Sequence, residues 1–580
     1  MQKRWVFAKA LKEVESTQAI ALLEEKLQVP ELIARLLVRR GIHSYEEAKS
    51  FFRPSPGEMP DPFLMKDMNR AVDRLQRAIE NKENILIYGD YDVDGTSSVA
   101  LVYAYLSRFH ENIDYYIPDR YAEGYGISTQ GIDAAENSDV KLIIALDCGI
   151  KSIDKIQYAK EKGIDFIICD HHRPGDELPD AVAVLDPKRE DCAYPYKELC
   201  GCGVGYKLLQ AWTRSTQRDE DILFEYIDLV AVAIAADIVP ITGENRIFTY
   251  YGLKKINESP AHWVKAILLL SGKTLPLDIS NLVFIIAPRI NAAGRIDSGK
   301  NAVRLLTSQS EKEALECASQ IDQNNDERKH LDKEITRHAL ELIEANEQLK
   351  VAKTTVLFHD SWHKGVVGIV ASRLTDTYYR PTILLTNNNG KLTGSARSVR
   401  DFDVYDAIEA CSHLLEQFGG HKYAAGLTLS IENFEAFRDA FEKQVAATIP
   451  DELLIPAIEI EEEISFELLR KSKQEELPRF YRILKQFSPF GPGNMNPVFV
   501  AKGLKDSGLA RCLKDEHLKM SVYQNDKSLQ FDAIAFGKGN LLNEILSGKK
   551  FDMAFTLEEN YWNGKTSLQL MVKDIRITEE

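Results

Sequence analysis

Between residues 85 and 187 the chain alternates short, wholly apolar runs with stretches of helical periodicity. The runs are ILIYG (85–89), KLIIALDCG (141–149), DFIICDHH (165–172) and AVAVLDP (181–187), separated by helix-like segments such as 97–108 and 152–162. Strands apolar on both sides, alternating with helices, predict a parallel sheet covered on both faces. In such sheets ligands sit beyond the carboxyl ends of the strands, and each of these four runs ends in Asp, His or both.

The pattern changes along the rest of the chain. Residues 1 to about 80 read as helical and irregular: ELIARLLVRRG stops at Gly41, and Ser44 is an N-cap for SYEEAKSFF. Residues 310–350 lack Pro and Gly and repeat apolar positions at helical spacing (Leu331, Ile335, Leu340, Leu342), which predicts one long connecting helix. A second α/β unit follows. TTVLFHD, PTILLTN and GKLTGSARS are its strands, and GVVGIVASRLTD and VYDAIEACSHLLEQF its helices, the latter stopped by Gly419. From about 452, PVFVAKGL, LKMSVYQ, LQFDAIAFG, FDMAFTLEE and TSLQLMVKDIRI predict a small β-barrel. The expected divisions are a wrapping segment 1–80, an α/β domain 81–305, the helix 306–350, the second α/β domain 351–450 and the barrel 451–580.

Composition changes this picture little. With 44% hydrophobic and 28% charged residues the chain is of ordinary globular kind. A net charge of −16 excludes a protein that coats nucleic acid through overall charge, but leaves room for local Arg and Lys contacts. The eight cysteines form no CxxC pair, and Cys200 and Cys202 in GCGVG read as small buried thiols rather than a zinc site. The opening MQKRWVFAKA lacks a signal-peptide apolar run, and no stretch suits a membrane span. A reducing, cytoplasmic setting is the expectation.

Candidate chemistry is concentrated at the strand ends. Asp90, Asp92 and Asp94 alternate in DYDVDG, and three carboxylates this close repel one another unless cations offset them. The motif opens like an EF-hand loop, but Leu101 stands where the twelfth-position Glu would be required. Asp147 ends IIALD, Asp170, His171 and His172 end FIICDHH, and Asp237 ends the apolar helix LVAVAIAAD. Alone, an acidic turn is usually a solvated one and a lone His usually structural; gathered at one sheet edge, carboxylates with imidazoles are a ligand set for two Mn²⁺ or Mg²⁺ ions. The reaction class is metal-assisted hydrolysis of a phosphoester or phosphoanhydride.

DYDVDG, LDCG, DHH and AADIVP, in this order, resemble the motifs of the DHH phosphoesterase family. LCGCGVGYKL, APRINAAGRI, WHKGVVGIVASRL, GSARS and FGGHKYAAG resemble its RecJ family, including the DHH-associated second domain, from about residue 60 onward. The resemblance implies a single-stranded-DNA-specific 5′→3′ exonuclease that releases 5′-mononucleotides in DNA repair and recombination, with an OB-like barrel binding the strand. It implies Asp147 as a ligand bridging two ions, Asp92 on one, and Asp94, His171 and Asp237 on the other, with Asp90 and His172 completing or orienting the site. Many members carry His at the position of Tyr88, so a first ion held more weakly or with an extra water is expected. Arg120 and Tyr125 resemble backbone and base contacts. Asn291, Arg295, Ser395, Arg397 and His421 resemble contacts to the substrate and its 5′-phosphate, and His363 is a further substrate contact. Single-stranded DNA is the expected partner, with a helicase and a single-strand-binding protein beside it; a monomer without membrane association is expected. Two rival readings are a DHH enzyme for short oligoribonucleotides and a non-catalytic single-strand-binding scaffold. The second would have lost metal ligands, whereas every acidic motif position is present here.

Overall fold

The computed structural model describes residues 3–9, 11 and 14–578. The chain divides into two compact units, one of residues 56–454 and one combining residues 1–55 with 455–580.

In the first unit, five parallel strands lie in the order Ile113–Tyr116, Asn84–Gly89, Val140–Leu146, Asp165–Cys169, Ala183–Leu185. Side chains alternate between faces along a strand, so the apolar runs feed two cores at once. Ile85, Ile87, Leu142, Ile144 and Ile167 pack with the Val93–Leu106 and Gly201–Ser215 helices. Leu86, Tyr88, Ile143, Phe166 and Ile168 pack on the other side with Ile132 and Ile156. The chain leaves Asn84–Gly89 towards one edge and returns to Val140–Leu146 on the other flank. This reversal opens a crevice at the carboxyl ends of those two strands, where a doubly wound sheet takes its ligand.

A helical layer follows, including the fully apolar Ile227–Ala236 and the Ala287–Ile296 helix. The connecting helix runs Glu311–Glu344. It does not continue to 350 as expected: the Asn346 side chain accepts from Gln348 and Leu349 amides and starts a separate helix, Glu347–Val351. Ala314, Cys317, Ala318 and Ile321 belong to the core of the first sheet. Ile335, Ala339 and Ile343 pack against the Lys364–Tyr378 helix of the second α/β region.

That region has a five-stranded sheet in the order Gln417–His421, Ala424–Ser430, Lys391–Arg397, Thr382–Asn388, Thr355–Phe358. Here the sequence expectation fails. The helix predicted up to Gly419 ends at Glu409, and Gln417–His421 is an antiparallel edge strand with Phe418 opposite Leu427. Helix propensity in HLLEQF is weak beside the ladder available on the Ala424–Ser430 strand, and tertiary pairing wins.

In the second unit the strands Phe499–Asp506, Phe551–Trp562, Lys565–Ile577, Gln530–Ala535 and His517–Tyr523 form a ring, closed by Lys505 opposite Tyr523. This is the expected OB-like barrel. Its core includes residues from the other end of the chain: Leu23, Ile33, Leu36 and Leu37 share it with Phe487, Met520 and Phe555. Arg4–Phe7, a strand that the sequence reading did not foresee, pairs in parallel with Ala457–Ile460. Ser44 caps its helix as expected, in a reciprocal capping box with Glu47.

Deleting residues 1–55 alone should therefore unfold the barrel. Four buried aliphatic side chains at about 1.5–3 kcal/mol each represent on the order of the whole stability of a domain. Limited proteolysis of residues 56–580 should cut quickly beyond 455 and leave 56–454 intact. A barrel in that fragment as protease-resistant as in the full chain would contradict the shared core.

Candidate metal centre and substrate cleft

The strand ends bring the acidic residues together in a buried cluster. Asp90 is fully buried, and neither of its carboxylate oxygens has a hydrogen-bond partner among the described residues. Asp92 caps the Val93–Leu106 helix, accepting from the Gly95 amide at 3.0 Å. Asp94 accepts from the amides of Gly201 and Cys202 at 2.7 and 2.8 Å, at the start of the Gly201–Ser215 helix. Asp147 follows its strand in a left-handed conformation (φ 59°), with Oδ1 buried and without a hydrogen-bond partner. His171 places Nε2 3.1 Å from Asp147 Oδ1, 3.6 Å from Asp237 Oδ2 and 3.7 Å from Asp94 Oδ2. Asp237 caps the C-terminus of Ile227–Ala236.

Gly201 is a requirement of this packing. A Cβ there would lie 2.5 Å from Asp147 Cβ and 2.8 Å from its Oδ1.

Asp170 has a different task. It accepts from the amides of Ile150, His171 and His172 at 2.9, 2.7 and 3.1 Å, and pairs with His172 Nδ1 at 2.8 Å. Burial opposes its charge, but the His172 bond, the His172 charge and the amides hold its pKa down at about 2. Burial likewise opposes charge on His172, yet Asp170 raises it to about 9. His171 is pushed the other way, to about 3, by burial and then by the charge of His172. Four further carboxylates are raised by burial first and by neighbouring carboxylates second: Asp94 to about 6, Asp237 to about 8, and Asp90 and Asp147 well above the normal range.

These are the signs of a site built for cations. Unpartnered buried oxygens, mutually repelling carboxylates and a neutral imidazole with both nitrogens unpartnered all fit a divalent ion. Ligand atoms of Asp94, His171 and Asp237, and of Asp147, His171 and His172, lie within 4.8 Å of one another. His172 is the weaker ligand of the second group, because Nδ1 is bonded to Asp170 and Nε2 lies 3.2 Å from Tyr125 Oη. Hard oxygen donors with imidazole suit Mn²⁺ or Mg²⁺.

Tyr88 stands apart from the cluster. Its hydroxyl donates to the Gly126 carbonyl at 3.0 Å and accepts from the Ser128 amide at 3.1 Å, inside the core opposite the Val93–Leu106 helix. The phenol thus fixes the loop that carries Tyr125.

Beyond the cluster lies a cleft in two joined parts. A cavity of about 860 Å³ is lined by Asp90, Asp92, Asp170, His172, Tyr125 and His421 among others. It shares Tyr91, Arg120, Arg295, Ser395 and Arg397 with a second cavity of about 440 Å³. Arg120 lies over the Tyr91 ring at 4.8 Å, and the His421 ring is stacked 6.4 Å from His172. Tyr125 is 56% exposed. Arg397 donates to Ser395 Oγ at 2.5 Å and to Ser372 Oγ at 3.1 Å; Arg295 donates to the Gly365 carbonyl at 3.1 Å. Arg295 is lowered to about 10 by burial and then by Arg120 and Arg397, so positive charge is crowded here.

Two expected substrate residues are not brought into the cleft. Asn291 lies one helical turn before Arg295 and lines neither cavity; His363 caps the Lys364–Tyr378 helix, with Nδ1 accepting from the Gly365 amide at 3.2 Å. Residues that the sequence reading passed over are Tyr91, Lys364, Ser372 and Gln417. Tyr91 stood inside DYDVDG, and Lys364 inside WHKGVVG, where a cation beside a glycine-started helix was the available signal.

The comparisons agree with this geometry. The model of the DHH family N-terminal domain matches residues 84–234, that of the DHHA1 domain 348–447, and that of the RecJ OB domain 472–574. The parallel sheet with carboxylates and imidazoles at its carboxyl edge is thus that of the DHH class. The single-stranded-DNA-specific exonuclease RecJ of Bacillus subtilis is 36% identical over 567 residues, covering 96% of this chain and 69% of that protein. The Salmonella typhimurium exonuclease of the same name is 34% identical, covering 98% and 99%. The chain belongs to the RecJ family. The crystal structure of Thermus thermophilus RecJ with Mn²⁺ superposes with a TM-score of 0.83 at 27% identity, covering 100% of this chain and 80% of that one. The Mg²⁺ complex of the same protein gives 0.77 at 26% identity.

The raised groups give a pH dependence with a definite sign. Asp237 and His172 hold protons more tightly folded than unfolded, so their contribution to stability is lost as pH rises towards about 8 and 9. His171 adds no opposing slope above about 6.5. The melting temperature of the metal-free protein should fall between pH 6.5 and 9, and Mg²⁺ should raise it more at the upper end, where fewer protons compete. A metal-free melting temperature that climbs across this window would contradict the assignment.

Proposed function

We propose that this protein is a metal-dependent exonuclease that degrades single-stranded DNA from the 5′ end and releases 5′-mononucleotides. The observation that carries the reading is the joining, in one cleft, of a carboxylate–imidazole cluster and a wall of arginines. Family membership supplies the substrate class, since the named relatives are single-stranded-DNA-specific exonucleases.

In this reading Asp92, Asp94, Asp147, His171 and Asp237 hold two divalent cations. When bound, such ions neutralise charge on the phosphoryl oxygens and make water more acidic at the site. Asp90 adds negative charge beneath the cluster, and Asp170 fixes the His172 ring, whose Nε2 faces Tyr125. Tyr125 offers a face on which a base stacks. Arg295, Ser395 and Arg397 take the terminal 5′-phosphate. A terminal phosphate carries more charge and more acceptor oxygens than an internal diester, so guanidiniums with a hydroxyl select the end over the middle. With the end fixed, the bond presented to the cluster is the one that frees a single nucleotide.

The barrel of residues 455–580 serves in this proposal as a further single-strand binding module, as small barrels of this kind do. An enzyme confined to single strands depends on a strand-separating enzyme and meets strands coated with binding protein, so a helicase and a single-strand-binding protein belong to the proposal. No helix among the described residues is long and apolar enough to cross a membrane. The eight cysteines are free thiols, seven of them buried, which suits a cytoplasmic enzyme.

Asp147→Ala should remove hydrolysis of single-stranded DNA at saturating Mn²⁺ while circular dichroism stays native; wild-type-like turnover in this variant would sink the metal assignment. Arg397→Ala should lower kcat/KM on 5′-phosphorylated strands by about 1.5–3 kcal/mol, the worth of a hydrogen bond to a charged group, and much less on 5′-hydroxyl strands. Equal losses on the two, or a wild-type product ladder that begins at the 3′ end, would overturn the end-reading pocket.

A further inference from the structure

The cavity of about 440 Å³ is larger and more cationic than one phosphate requires. Its lining includes Arg120, Arg295, Lys364 and Arg397, and no Asp or Glu. None of the four has a carboxylate within ion-pair distance among the described residues. Arg120 lies over Tyr91, Arg295 and Arg397 donate to backbone and hydroxyl oxygens, and the Lys364 ammonium has no hydrogen-bond partner among the described residues. Like charges gathered without counter-ions raise the free energy of the folded state unless an anion joins them. The same cavity, moreover, reaches past Ser395 and Arg397, away from the carboxylates, to Lys364, Thr393 and Thr428. Gly365 and Gly368 line it too, and the space a Cβ would take is filled by Tyr121 and Arg295 at the first and by Arg397 and Ser395 at the second, so glycine lets these groups pack close.

Resting on the reading that Arg295, Ser395 and Arg397 hold the terminal phosphate, we propose that the enzyme also accepts strands with a 5′-diphosphate or 5′-triphosphate end, the outer phosphates lying towards Lys364. A monophosphate end supplies at most about two negative charges against four cations. A polyphosphate adds charge in the direction in which the cavity continues. The bond broken is unchanged. Water adds to the phosphorus of the second nucleotide, the bond from that phosphorus to O3′ of the first breaks, and O3′ leaves with a proton. The first nucleotide departs with its polyphosphate intact, and the shortened strand begins with a monophosphate.

The test uses the full-length protein with Mn²⁺ and 3′-labelled single strands of one sequence ending in 5′-hydroxyl, 5′-monophosphate or 5′-triphosphate. The triphosphate strand should be degraded within about threefold of the monophosphate strand, and mass spectrometry of the first product should find the nucleoside 5′-triphosphate. Lys364→Gln should lower kcat/KM about tenfold more on the triphosphate strand than on the monophosphate strand. A triphosphate strand degraded no faster than the hydroxyl strand, while the monophosphate is still preferred, refutes this inference and leaves the end-reading pocket standing. So does a first product lacking the triphosphate, or equal losses in Lys364→Gln. If all three ends are degraded alike, the end-reading pocket itself fails and takes the inference with it.

Discussion

The constraint on which the structure depends is the burial of several carboxylates within touching distance of one another. No fold tolerates this without compensation, and here the backbone supplies part of it. Amides of Gly201 and Cys202 meet Asp94, the Gly95 amide meets Asp92, and the amides of Ile150, His171 and His172 meet Asp170. Asp90 and one oxygen of Asp147 are left without such help. The amides fix the orientation of Asp92 and Asp94 and leave lone pairs on both for a cation, beside the unsatisfied Asp147 oxygen.

The opposite problem is set across the cleft. Arg120, Arg295, Arg397 and Lys364 crowd positive charge into one cavity, with burial and mutual repulsion lowering Arg295 and burial lowering Arg397. Each half is strained alone, and a phosphate-bearing strand with its cations relieves both. This is why the net charge of −16 was a poor guide to substrate. The two signs are segregated on a scale of a few residues, and a sum over the chain erases that.

How much of this was legible in the sequence follows from the range of the forces involved. The apolar runs declared the strands because their two-sided burial is written in consecutive residues, and Asp147 and His171 could be placed at a common edge because parallel strands end together. Gln417–His421 was misread because local propensity spoke for a helix while the deciding hydrogen bonds go to the neighbouring Ala424–Ser430 strand. Leu23 and Leu37 gave no hint of sharing a core with Phe555, more than five hundred residues away, since helical amphipathicity shows that a face is buried and not against what.

The spacing between floor and wall is itself a product of the fold. The Glu311–Glu344 helix is roughly 50 Å long at 1.5 Å per residue. Its first half lies in the core beneath the carboxylates, and its second half in the core that carries the Lys364–Tyr378 helix. Arg289 joins Asp322 on it at 2.9 Å, which ties down the Ala287–Ile296 helix that carries Arg295; Arg373 joins Asp332 at 2.6 Å, which ties down the helix that begins at Lys364. Both cationic elements are therefore referred to one rigid rod, and the rod is referred to the sheet. Were the two regions joined by a flexible linker, the distance from the cleft arginines to the carboxylate cluster would vary, and on the proposed reading so would the length of the fragment released. A continuous helix buried at both ends removes that freedom, which is what release of one nucleotide at a time demands of the scaffold.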